Sequence, residues 1–154
     1  MLGTLGRYLD GEHAERVRII ESAKGFVVHH HSADGPARVT EISWSDLVTR
    51  GSAWAGKPRT LRPWRRQSRP GGSSYEGVFQ ALGYELDDVH AHSILLDELP
   101  DGLLISYQFL NPAEGYMLRK RMAVLGTEQI AAVVQGAGDR WAHPTITFLQ
   151  RLAE

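Results

Sequence analysis

Apolar residues follow two spacings along this chain, and the same succession of spacings occurs twice. Phe79, Leu82 and Leu86 recur at three- and four-residue steps, with Tyr75, Val78 and Val89 beside them, which predicts an amphipathic helix over 74–88. Ser73 precedes Glu76 by three residues, the spacing of a capping box. The period then falls to two. A strand is expected over 94–99, then a turn at Pro100-Asp101-Gly102, then a strand over 103–110 whose Leu103, Ile105, Tyr107 and Phe109 share a face. Pro sets the turn's φ and Gly is expected to take a positive φ. Asn111-Pro112-Ala113-Glu114-Gly115 forms a second loop before a strand over 116–125, and Thr127 caps a helix over 128–135 that Gly136 and Gly138 end.

The first half repeats the order. A helix through Leu2, Leu5 and Leu9 precedes strands over 16–21, 26–31 and 38–44, then a short helix capped by Ser45. The turn Ala23-Lys24-Gly25 and the loop Ala33-Asp34-Gly35-Pro36 separate the strands. The two halves also match letter for letter. Leu5-Gly6-x-x-Leu9-Asp10-x-x-His13-Ala14 returns as Leu82-Gly83-x-x-Leu86-Asp87-x-x-His90-Ala91, an offset of 77 without a gap. Over 5–25 against 82–102 there are eight identities in 21 positions, where ordinary composition gives roughly one or two. The pattern predicts an α+β fold made by internal duplication of an α-β-β-β-α unit. The copies are related by a pseudo-twofold axis, and their antiparallel sheets, with helices packed on one face, either join edge to edge or stack. The expected organisation is a first repeat over 1–50, a connecting segment over 51–72, and a second repeat with a C-terminal helix over 73–154, folding as one cooperative unit. Met1 aligns with Val78, so either the first helix is naturally the shorter or the true start lies upstream of Met1, and emptying Leu9 is expected to cost less than emptying Leu86.

Composition narrows the class. The 154 residues include no cysteine, which removes disulfides, thiolate nucleophiles and Cys-based metal sites and fits a reducing compartment. Charges run through the N-terminal stretch, and no apolar run approaches the ~18 residues of a spanning helix, so no membrane association and a cytoplasmic location are expected. The net charge of -1 conceals a cluster of six cations and no acid between Lys57 and Arg69, leaving -7 on the remainder.

That connecting segment is the foremost binding candidate. Arg62, Arg65, Arg66 and Arg69 surround Trp64, a combination that supplies phosphate contacts and a stacking face. The α-β-β-β-α order resembles that of double-stranded-RNA-binding domains. However, Thr127-Glu128-Gln129 and Ser45-Asp46 stand where such domains carry a basic cluster. The favoured reading of the segment is structural: Trp64 buried and the arginines paired with carboxylates of the two halves.

The repeated Asp-x-x-His, Asp10 with His13 and Asp87 with His90, places a carboxylate and an imidazole on one helix face and suits a metal or a catalytic pair. A helix–strand junction explains it equally, the His favoured by the helix dipole and the Asp bound into the turn, and the reading adopted assigns no metal and no cofactor. His29-His30-His31 falls on a strand, so His30 faces the core, as its counterpart Tyr107 does, while His29 and His31 face the other way, within chelating reach of His92 at most. Glu21 and Glu98 are expected in solvent beside their hairpins. No phosphate loop, nucleophile elbow or dinucleotide fingerprint is present. The sequence thus ranks a non-enzymatic interaction module first, with a protein partner or self-association. Nucleic-acid binding through 54–69 comes second, and a metal- or His-dependent enzyme third.

Overall fold

The computed structural model describes residues 1–32, 35–55 and 75–138. Helix α1 (Leu2–Gly11) leads to strands β1 (Ala14–Ser22), β2 (Gly25–Ser32) and β3 (Ala37–Ser43) and helix α2 (Trp44–Ala55). Helix α3 (Tyr75–Asp88) leads in the same order to β4 (His92–Leu99), β5 (Gly102–Asn111), β6 (Met117–Gly126) and helix α4 (Thr127–Gly138). The six strands make one antiparallel sheet, β3-β2-β1-β4-β5-β6. Of the two expected arrangements, edge-to-edge joining is the one present, through β1 and β4.

Alternation decides which side of the sheet is dry. Val17, Ile19, Phe26, Val28, Ile42, Ile94, Leu96, Leu103, Ile105, Tyr107, Phe109 and Leu125 are buried, and they share one core with Leu5 and Leu9 of α1, Leu47 of α2, Phe79, Leu82 and Leu86 of α3, and Ile130 and Val133 of α4. The helices therefore lie on one face, and one core spans both halves. Leu9, on the shorter helix, is as fully buried as Leu86.

The seam has only three ladder positions, Arg18↔Asp97, Ile19↔Leu96 and Ile20↔Leu95. Beyond them both strands bulge, with left-handed torsions at Arg16 (φ 52) and Ser93 (φ 53). The amides freed there are taken by side chains: Val17 N donates to Glu98 Oε2 at 3.0 Å and Ile94 N to Glu21 Oε2 at 3.0 Å. Glu21 and Glu98 thus complete the ladder in half-buried positions rather than standing in solvent, because each lies across the seam from an amide that lost its main-chain partner.

Other local expectations shift for similar tertiary reasons. Trp44 opens α2 instead of ending β3, since its ring packs edge-on against Phe26 at 5.1 Å and its backbone and indole N–H groups bond Lys24 and Ala23 carbonyls. Ser43, not Ser45, is then the cap: its Oγ accepts from Asp46 N at 3.0 Å, and Asp46 reaches back to Ser43 N and Oγ. Helix α4 runs through Gly136 to Gly138. Gly102 does not have the positive φ its turn suggested; a Cβ there would lie 2.0 Å from the Leu125 carbonyl oxygen, just as one at Gly25 would lie 2.0 Å from that of Ile42. Close approach of the third strand requires Gly102, and at Gly25 it adds to a positive φ of 153°.

Candidate functional site

The repeated Asp-x-x-His ends a helix in both halves. His90 N donates to the Asp87 carbonyl at 3.0 Å and Ala91 N to the Leu86 carbonyl at 2.9 Å, the paired bonds of a Schellman stop, with His90 in the left-handed region at φ 52. His13 N likewise donates to the Asp10 carbonyl at 3.2 Å, with His13 at φ 53. Histidine tolerates this torsion better than most residues, and Leu9 and Ala14, or Leu86 and Ala91, supply the apolar contact of the motif. Asp enters the turn by its backbone carbonyl, leaving its side chain for other uses. Both imidazoles are exposed.

The two carboxylates part company here. Asp10, 3% exposed, accepts from Tyr75 N at 2.9 Å and Glu76 N at 3.0 Å, so it caps α3 from α1. Gly6 permits this: a Cβ there would lie 2.6 Å from the Tyr75 carbonyl carbon and oxygen. Glu76 takes Arg7 in an ion pair at 2.8 Å; Ser73, its expected capping-box partner, lies outside the described residues. The Tyr75 hydroxyl donates to Glu98 Oε2 at 2.6 Å, so the start of α3 is tied to both α1 and the seam. Asp87 is exposed and lines a groove of about 180 Å³ with Gly3, Arg7, Glu76, Gln80 and Tyr84. Small-molecule sites begin at roughly 300 Å³.

His30 faces the core as expected, 2% exposed and edge-on to Tyr8 with ring centroids 6.5 Å apart. Burial holds its pKa below 6.5, with Arg38 and His31 acting in the same direction and Glu12 opposing. Burial likewise raises the pKa of Tyr107, its counterpart in the second half, while Arg121 opposes. His29 is exposed on the opposite face, and His92 pairs with Gln108 on β5, two strands from β2. Among the described residues no three His, Cys, Asp or Glu side chains gather as metal ligands. The Arg/Trp candidates, Trp64, Arg62, Arg65, Arg66 and Arg69, and the expected C-terminal helix after 138 lie outside the described residues.

What sequence reasoning passed over is the sheet face turned away from the helices. Register lays its side chains in two rows. One reads Glu41, Val27, Ile20, Leu95, Ser106, Met122, and the next Val39, His29, Arg18, Asp97, Leu104, Val124. Val39 is 62% exposed, Met122 56% and Val124 57%; Ile20, Leu110 and Leu118 are exposed with them. Arg18 and Asp97 meet across the seam at 3.9 Å in the middle of this face. The signal was present in the alternation of β6, where Leu118, Met122 and Val124 share a parity opposite to the buried Ala123 and Leu125. A strand apolar on both faces expects cover on both.

No family model, curated protein or solved structure matches this chain. No described helix is long and apolar enough to cross a membrane.

Proposed function

We propose that the protein is a non-enzymatic interaction module that binds through the open face of its sheet. The observation that carries this reading is the set of exposed apolar side chains on β3, β1, β5 and β6, turned away from the helices and joined through the half-buried Val27, Leu95 and Leu104 of the same rows. Isolated exposed apolar residues are ordinary, whereas a connected patch on a flat sheet marks a surface that another molecule covers. The face belongs to a duplicated α-β-β-β-α unit with a pseudo-twofold axis through Ile19 and Leu96. Several facts support that architecture. The 77-residue offset carries Ile19 onto Leu96, its own ladder partner, and exchanges the flanking pairs Arg18↔Asp97 and Ile20↔Leu95. It also relates the left-handed torsions at His13 and His90 and at Arg16 and Ser93, and the reciprocal bonds of Glu21 and Glu98.

The test joins stability to proximity. Met122→Lys and Val124→Lys in dilute solution are expected to change unfolding free energy by less than about 1 kcal/mol, as exposed sites do. A photo-crosslinking residue at Val124 is expected to join the chain to another protein molecule in cells, while one at Val48, exposed on α2, is not. A loss above about 2 kcal/mol from the lysines would mean that the face is packed internally. That result, or equal crosslinking at the two positions, refutes the reading.

A further inference from the structure

We infer that the molecule covering this face is a second copy of the chain, stacked sheet to sheet about a twofold axis that runs parallel to the strands along the β1–β4 seam. This rests on the interaction-face reading above and assigns its partner. A patch that recognised a strongly acidic or basic partner would carry an excess of one charge. Here Arg18 and Asp97 cancel at the centre, and Glu41 on β3 is balanced by Lys120 on β6. A face of that kind is complemented by itself if symmetry lays its central charges over their opposites. An axis along the seam does so for Arg18 and Asp97, while Glu41 at the edge falls over the partner's Met122. It sets β1 of one copy over β4 of the other at unchanged height along the strands, so Arg18 falls over the partner's Asp97, and Asp97 over the partner's Arg18. Four charges then alternate around the axis. The same operation sets Ile20 over the partner's Leu95 and the exposed Val39 over the partner's Val124. An axis across the strands instead lays Arg18 over Ile20 or over the partner's Arg18 and leaves the charges unmatched. Stacked sheets pack about 10 Å apart with strands aligned to within roughly 30°, a separation that an Arg–Asp pair at the centre spans. An isologous contact closes at two copies, which leaves no apolar face for further growth.

The experiment is sedimentation equilibrium on the full-length chain and its charge variants. The parent is expected to be a dimer. Arg18→Asp places four acids around the axis and Asp97→Arg four bases, so each variant alone is expected to sediment as a monomer while keeping the parent's far-ultraviolet circular dichroism. Mixing the two variants in equal amounts is expected to restore a dimer containing one copy of each, because every charge across the interface is then opposed. Carrying both substitutions in one chain restores the homodimer, and does so even if a single variant fails to fold, since the pair within the chain is rebuilt. A parent that stays monomeric at millimolar concentration overturns the inference, and crosslinking at Val124 to a different protein would in that case leave the interaction face standing. A dimer whose mass is indifferent to both single substitutions overturns it as well, by placing the contact elsewhere.

Discussion

Asp10 and Asp87 occupy the same place in the same sequence motif, and their substitution by alanine should have different consequences. Asp10 is buried and accepts two backbone amides at the start of α3. Hydrogen bonds to a charged acceptor are worth about 1.5–3 kcal/mol each, and Asp10→Ala removes two while leaving both donors inside the protein, so the expected loss is about 3–6 kcal/mol. Asp87 is exposed, and Asp87→Ala should stay within about 0.5 kcal/mol. Urea unfolding followed by circular dichroism reads the difference. At a slope of about 2 kcal/mol/M, reasonable for a chain of this size, the Asp10→Ala midpoint falls by roughly 2 M and that of Asp87→Ala hardly moves. Both halves share a core, so a single transition is expected in each case. Asp10→Asn keeps one acceptor and should fall between the two. Losses for the two alanine variants that agree to within about 1 kcal/mol would refute the assignment of Asp10 as the cap of α3.

Three further outcomes follow from the packing. Leu9→Ala and Leu86→Ala should each cost about 2–5 kcal/mol and differ little, since both side chains are fully buried; a Leu9 loss under about 1 kcal/mol in denaturant titration would show that α1 frays. His30 has a folded pKa below 6.5, so the unfolded chain takes up the proton first as pH falls. The stability of the neutral imidazole is complete above 6.5 and is lost as pH drops through the lowered folded value; His30→Phe should flatten the stability profile in that window, and an unchanged slope would contradict it. Gly25→Ala and Gly102→Ala each force a methyl to within 2.0 Å of a carbonyl oxygen in the next strand and should cost more than about 2 kcal/mol, seen as a lowered Tm.

The sequence by itself determined the local units. Helical spacing at Leu5 and Leu9 and at Leu82 and Leu86, alternation at Leu103, Ile105, Tyr107 and Phe109, and the helix stop written in Leu-Asp-x-x-His-Ala all act over a few residues, where backbone torsion and side-chain period are set by neighbours in the chain. The same alternation puts His30 in the core. Tertiary structure alone decided everything that depends on which unit meets which. Asp10 and Asp87 are identical in their local sequence, yet Asp10 is buried against the start of α3 while Asp87 is exposed. Glu21 and Glu98 gain amides only because bulges splay the seam, and Gly102 is needed for a strand that arrives some twenty residues later. The open sheet face came from the same source. Alternation tells which residues of a strand lie together, but whether that side meets helices, water or another molecule is set by packing energies summed across the assembled sheet.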